Sequence, residues 1–159
     1  MRNSNTCFKQ VPSKFFFCAE KSLTVPDIPG YAESVMELLF KDAESKELEI
    51  VGPPEFIYLN TNEDPNTPFQ LVIGIPIKES KAINSDFFVW ESMPFACLSI
   101  DYKGSMLNIG KAWQELVAQV LNEGWQLSNQ GREVYKEWVS FESEDNITEL
   151  QMGVVGKKN

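Results

Sequence analysis

The sequence predicts an α+β domain made of two copies of one strand–helix–strand–strand unit. The first half contains GPPEFIYLN, then an Asn/Asp/Pro-rich turn, then PFQLVIGIPI. The second half repeats this pattern with GREVYKEW, the turn SEDN and TELQMGVV. An apolar strand and an amphipathic helix precede each pair: Phe15–Leu23 with Tyr31–Phe40, then Phe87–Ile100 with Leu107–Leu121. A solenoid needs about three or more stacked repeats, so two units indicate a closed, duplicated domain.

The elements of the first unit follow from local patterns. Residues 14–25, KFFFCAEKSLTV, are apolar on both faces at their start and predict a strand between layers. The helix Tyr31–Phe40 follows a turn in which Asp27 can act as the cap. Glu55–Asn60 and Phe69–Lys78 then read as two strands around a turn rich in Pro, Asn and Asp.

The second unit repeats this order. Phe87–Trp90 and Pro94–Tyr102 predict one strand with an interruption at Ser92–Pro94, because proline cannot donate to a strand ladder. The helix Leu107–Leu121 carries an apolar stripe, and Gly124 ends it.

The boundaries follow from these elements. We expect a flexible N-terminus at residues 1–12, a single domain at 13–156 and a tail at 157–159. Within the domain, repeat one covers 13–80 and repeat two covers 85–156. A chain of 159 residues is long enough to bury about two-thirds of its unfolded surface in one core.

Composition excludes several classes of function. The net charge is −9, with 23 acidic and 14 basic residues and no Lys/Arg cluster, so we expect no direct DNA binding. Histidine is absent, which removes His-dependent triads and His-containing metal sites; neither a metal nor a cofactor is expected. The segment before residue 13 is too short for a helix-turn-helix.

Cysteine usage and hydropathy indicate the compartment. Cys7, Cys18 and Cys97 are widely spaced and lie in or near apolar strands, so we expect buried, reduced thiols. No apolar run is long enough to cross a bilayer, and the start lacks a secretory signal, so we expect no membrane association and a cytoplasmic location.

The strongest candidate for chemistry is Glu133, two residues before Tyr135 in a predicted strand. Residues two apart face the same side, so a carboxylate and a phenol could form the acidic floor of an apolar pocket. The alternative is an exposed strand with an ordinary polar face. Superposing the halves places Tyr58 over Tyr135, Gly74 over Gly153 and Phe56 over Glu133, so only one copy carries the acid.

The order YKGSMLNIGKAWQELVAQVLNEGW, GREVYKEW and TELQMGVV, with GPPEFIYLN and IGIPI before it, resembles the GyrI-like effector-binding domain. This bacterial family includes the ligand-sensing parts of AraC-type and MerR-type multidrug transcription regulators and freestanding proteins. The last strand departs from the family by ending in GVV, where a proline commonly precedes the valine.

The resemblance implies two units with pseudo-twofold symmetry, a curved antiparallel sheet with two main helices, and a central cleft. One face of the sheet would pack on the helices and the other would line the cleft. In the family's regulators a glutamate on the strand after the second helix contacts cationic aromatic drugs, and the matching residue here is Glu133. A carboxylate in such a cleft would have a raised pKa until a cation arrives.

Aromatic and apolar residues are the expected walls of this ligand site. We assign ligand binding to the following residues: Glu133, Tyr135, Tyr58, Phe56, Trp90 and Met36. Trp113 is assigned to core packing because it lies on the apolar stripe of its helix. Strand alternation assigns Trp138 to the face opposite Glu133, beneath the sheet.

Three functions remain open. The first is a binding module for hydrophobic, cationic aromatic compounds; the second is a hydrolase of electrophilic small molecules that uses Glu133 as general base. The third is an interaction protein resembling gyrase inhibitors. A protein partner or a homodimer is compatible with each of them.

Overall fold

A computed structural model describes residues 6–61 and 64–157 of the chain. Residues 1–5 of the predicted N-terminus and 158–159 of the predicted tail lie outside the described residues. The strands are β1 (Cys7–Val11), β2 (Phe15–Leu23), β3 (Glu55–Leu59), β4 (Phe69–Ile77), β5 (Phe88–Glu91), β6 (Phe95–Lys103), β7 (Trp125–Glu137) and β8 (Ile147–Lys157). The helices are α1 (Ile28–Ser45) and α2 (Ile109–Asn122).

The chain divides into two compact units of the same topology. The N-terminal unit is Pro12–Met93, and the C-terminal unit combines Met1–Val11 with Pro94–Asn159. Antiparallel strands follow the order β3-β4-β2-β5 in the first and β7-β8-β6-β1 in the second. Each unit adds one helix between its first and second long strands. The predicted α+β class and the duplicated strand–helix–strand–strand order are therefore confirmed.

Strand pairing shows which residues of the two units correspond once one pair of residues is matched. Gly74 pairs with Cys18 and Gly153 pairs with Cys97, so the two glycines are equivalent when the two cysteines are matched. With this match, Leu71 corresponds to Leu150, because each lies three residues before its glycine.

With the glycines matched in this way, the predicted equivalence between residues of β3 and β7 is wrong. Tyr58 pairs with Leu71 and Glu133 pairs with Leu150, so the residue in the place of Glu133 is Tyr58. Phe56 instead matches Gly131. The β7–β8 arm extends further before it turns than the β3–β4 arm, so an alignment on the turns displaces β7 by two residues. The acid still occurs at this place in only one copy.

The expectation of a flexible segment at 1–12 is wrong for residues 7–11. Cys7–Val11 forms β1, which pairs with β6 along its whole length. Lys9 Nζ lies 2.6 Å from Glu149 Oε2, and Lys136 Nζ lies 3.5 Å from the other oxygen of Glu149. Burial alone would raise the pKa of Glu149, but hydrogen bonds from Lys9, Gln151 and Ser99 hold this pKa below its ordinary value. Glu149 of β8 thus links β1 to β7 through its two lysine partners.

Helix α2 covers one face of the C-terminal unit. Its buried residues Leu116 and Val120 are four apart, as a single helical stripe requires. They belong to a cluster that also contains Leu98, Ile100, Leu150, Met152 and Val154 of β6 and β8. The side chain of Ser105 accepts a hydrogen bond from Leu107 N–H before α2, and Gly124 follows α2 at φ 88°.

Helix α1 is longer than predicted. It begins at Ile28 and runs to Ser45, and Val35, Leu39 and Ala43 form its buried stripe. Asp27 makes no side-chain cap; it accepts a hydrogen bond from the hydroxyl of Thr24 instead. No helix in the described ranges is both long and apolar enough to span a bilayer.

The thiols differ in exposure. Cys18 and Cys97 are buried as expected, but Cys7 is exposed because β1 lies at the edge of its unit. Burial raises the pKa of Cys97 to about 12 and raises the pKa of Cys18 as well.

Candidate functional site

The carboxylate of Glu133 is buried between two aromatic hydrogen-bond donors. Its side chain is 5% exposed. The indole Nε1 of Trp113 donates to Glu133 Oε2 at 2.6 Å, and the hydroxyl of Tyr135 donates to Glu133 Oε1. We call Trp113, Glu133 and Tyr135 the Glu133 site. The prediction that Glu133 and Tyr135 face the same side is confirmed by this contact.

Strand pairing shows which face of the unit carries the Glu133 site. Glu133 lies directly opposite Leu150, and such pairs point to the same side of a sheet. Leu150 packs with Leu116 and Val120 of α2. Glu133 therefore lies on the helix side, which corrects the expectation that the acid faces away from the helices.

Gly131 allows Trp113 to approach β7. It lies two residues before Glu133, on the same side of the strand. A Cβ atom at position 131 would be 3.4 Å from Trp113 Cη2, which is a tight contact. The indole ring thus rests against the bare backbone of Gly131 while its N–H reaches Glu133.

Trp113 is a residue of the Glu133 site that the sequence did not predict. Trp113 packs against the hydrophobic cluster beneath α2, as predicted, but it also donates a hydrogen bond to Glu133. The missed signal is the indole N–H, because a buried tryptophan donor usually finds an acceptor. A glutamate on the neighbouring strand supplies that acceptor.

Trp138 is also placed differently from the prediction. It is 53% exposed, and its ring lies edge-on to that of Tyr135, with centroids 5.8 Å apart and planes at 81°. The register of β7 shifts between Tyr135 and Glu137, so strict alternation ends there. Trp138 consequently contacts the Glu133 site instead of packing beneath the sheet.

The other predicted ligand residues belong to the N-terminal unit. Phe56 and Tyr58 pair with Ile73 and Leu71, whereas Trp90 pairs with Phe16 and stacks on it at 5.7 Å. On β2, Ala19 and Lys21 pair with Ile73 and Leu71, and Phe16 is an odd number of residues from both. Successive side chains alternate between the two faces, so Trp90 lies on the other face of this unit from Phe56 and Tyr58.

Helix α1 carries the remaining predicted residue. Met36 is half-buried beside the stripe of Val35 and Leu39. Two surface hollows of about 450 and 580 Å³ lie along this helix, and none of the six predicted residues lines either of them. Ligand contact by Met36, Phe56, Tyr58 and Trp90 stays a prediction.

The Glu133 site combines a buried carboxylate with aromatic rings. A buried carboxylate loses its hydration, and two ring donors replace part of it without adding a positive charge of their own. The π faces of Trp113, Tyr135 and Trp138 are attractive surfaces for cations. The described residues contain no group of three or more side chains suited to a metal ion.

Several solved structures share the fold of this chain. The C-terminal domain of EcmrR matches with a TM-score of 0.80 and 14% identity, over 96% of this chain and 98% of that domain. SAV2435 bound to tetraphenylphosphonium matches with a TM-score of 0.64 and 12% identity, over 96% and 94%. A hydrolase from Listeria innocua matches with a TM-score of 0.64 and 13% identity, over 98% and 94%.

The longer EcmrR chain in its complex with DNA matches with a TM-score of 0.81 and 16% identity, over 97% of this chain. The present chain spans 58% of that EcmrR chain. No protein-family model and no curated protein sequence matches. The likenesses show a shared fold, in agreement with the GyrI-like fold that the motifs predicted.

Proposed function

We propose that this chain is an effector-binding domain that captures hydrophobic, cationic aromatic small molecules with the carboxylate of Glu133. The observation that carries this proposal is a carboxylate at 5% exposure, held between an indole and a phenol. An acid with no role beyond solubility would lie at the surface, where water solvates its charge. A buried acid beside aromatic rings is suited to a ligand that is both charged and apolar.

The energies are large enough for selective binding. At about 4 Å and an effective dielectric constant near 20, a cation and a carboxylate attract by about 4 kcal/mol before desolvation. A well-placed cation–π contact adds about 0.5–2 kcal/mol. One acid and several rings specify charge and bulk more than detailed shape, so the domain would accept a range of compounds.

The structural comparison supports the ligand class. SAV2435, which has the same fold, was solved with tetraphenylphosphonium, a bulky aromatic cation. The EcmrR C-terminal domain places the same fold in a DNA-bound protein. Both facts favour ligand sensing for the present chain.

Titration of tryptophan fluorescence with tetraphenylphosphonium tests the proposal. Glu133→Gln removes the charge with almost no change in volume, and we expect it to weaken binding about tenfold or more, since about 1.4 kcal/mol corresponds to a factor of ten. Glu137→Gln is the matched control because it removes the same charge from an exposed position on the same strand. Equal affinity of wild type and Glu133→Gln, or an equal loss in both variants, would contradict the proposal.

A second candidate function is hydrolysis of electrophilic small molecules. The hydrogen bond between Tyr135 and Glu133 pairs a phenol with a carboxylate, and a protein of the same fold is a hydrolase from Listeria innocua. Release of product from an epoxide or an activated ester distinguishes the two candidates, because capture alone leaves the compound intact.

A further inference from the structure

Trp138 is an exposed aromatic residue in direct contact with the Glu133 site. Its ring lies edge-on to Tyr135 at 5.8 Å, and Tyr135 donates a hydrogen bond to Glu133. More than half of its surface is nevertheless open to solvent. Tryptophan is highly buried on average, so folding alone does not explain this exposure.

A bulge in β7 turns Trp138 toward the Glu133 site. Tyr135 pairs with Thr148 and Glu137 pairs with Ile147, so Lys136 is an extra residue on β7. Without this bulge, alternation would place Trp138 on the side of Val134, opposite Glu133. Bulges commonly re-aim a side chain next to a functional site.

The segment that follows Trp138 is anchored. Asn146 is fully buried; its side chain accepts a hydrogen bond from Val139 N–H at 2.7 Å and donates one to the carbonyl of Ser140 at 2.7 Å. The carbonyl of Phe141 also accepts a hydrogen bond from Met106 N–H at 3.0 Å. The position of Trp138 is therefore set by the backbone on both of its sides.

We infer that Trp138 is a specificity-determining residue of the Glu133 site, whose exposed ring packs on an aromatic group of the ligand. This inference rests on the proposed function, because it assumes that a cation binds at Glu133. A tryptophan ring presents a large rigid surface, and a fixed ring loses little conformational freedom on binding. The site would thus select cations that carry aromatic rings over aliphatic cations of the same charge.

Two phosphonium ions test the inference: tetraphenylphosphonium, which carries rings, and tetrabutylphosphonium, which does not. We expect Trp138→Ala to weaken binding of the first about three- to tenfold, as expected for a lost aromatic contact. Binding of the second should change by no more than about twofold. Trp138→Phe should retain most of the preference for the ring-bearing ion. Val139→Ala is the matched control, since Val139 is the next residue and is more exposed still.

The outcomes separate this inference from the proposed function. If Trp138→Ala weakens both ions equally or neither, while Glu133→Gln still weakens binding of both ions, the role of Trp138 is overturned and the acid site stands. If wild-type protein binds neither ion, both fail. A purely structural role for Trp138 would not discriminate between the two ions, so loss of the ring preference supports the inference.

Discussion

Two of the three residues of the Glu133 site could be predicted from the sequence, and the third could not. Glu133 and Tyr135 could be identified because a period of two and one carboxylate are visible in the sequence. Trp113 could not, because its place on an apolar helix stripe is equally typical of the core. Its contact with Glu133 joins a helix to a strand 20 residues away, and local patterns do not report such a contact.

The cysteines also differ one by one. Cys7 belongs to an apolar-looking strand, but that strand is at the edge of its unit, so the thiol is exposed. Cys97 and Cys18 are buried at equivalent places of the two units, and burial raises the pKa of each thiol. Only the thiolate is reactive, so the buried pair should be inert near neutral pH.

Thiol labelling with Ellman's reagent tests this difference. We expect one fast-reacting thiol per native chain, from Cys7, and the complete set of 3 after denaturation. Cys7→Ser should remove the fast reaction and leave the other two unchanged. Rapid labelling of Cys18 or Cys97 in the native protein would contradict the burial described above.

Secondary-structure elements were predicted better than their registers. The order strand, helix, strand, strand follows from hydrophobic periodicity, which is a local property. The two-residue error between β3 and β7 arose because the length of a hairpin arm depends on cross-strand pairing. The bulge that re-aims Trp138 was missed for the same reason, since no single residue type marks it.

Gly153 lies where the β7–β8 pairing leaves no room for a side chain. Residues 128–130 lie opposite Gly153 alone, because Leu127 pairs with Val154 and Gly131 pairs with Met152. A Cβ atom at position 153 would lie 2.5 Å from the carbonyl oxygen of Gln130 and would overlap the hydroxyl of Ser128.

We expect Gly153→Ala to lower the free energy of unfolding by about 3 kcal/mol, because backbone atoms of β7 would have to shift. Gly110→Ala is the control: apart from the neighbouring residues and backbone of α2, no atom lies within 4 Å of a new Cβ there, so stability should be unchanged or rise by up to about 1 kcal/mol. Urea denaturation measures both. Equal stability of Gly153→Ala and wild type would show that the β7–β8 register is different.

At the scale of the whole chain, duplication has produced two units of one topology with different chemistry. The place that holds Glu133 in the C-terminal unit holds Tyr58 in the N-terminal unit. A duplicated fold could offer two equivalent sites, but this one has a single buried acid at that place. One bound cation per chain is therefore expected.

Calorimetric titration with tetraphenylphosphonium and tetraphenylborate tests this claim most directly, because the two ions share their shape and differ in the sign of their charge. We predict one phosphonium ion bound per chain, binding of the borate at least about tenfold weaker, and a much smaller difference between the ions in Glu133→Gln. Equal affinity for the two ions, or two phosphonium ions per chain, would contradict the account.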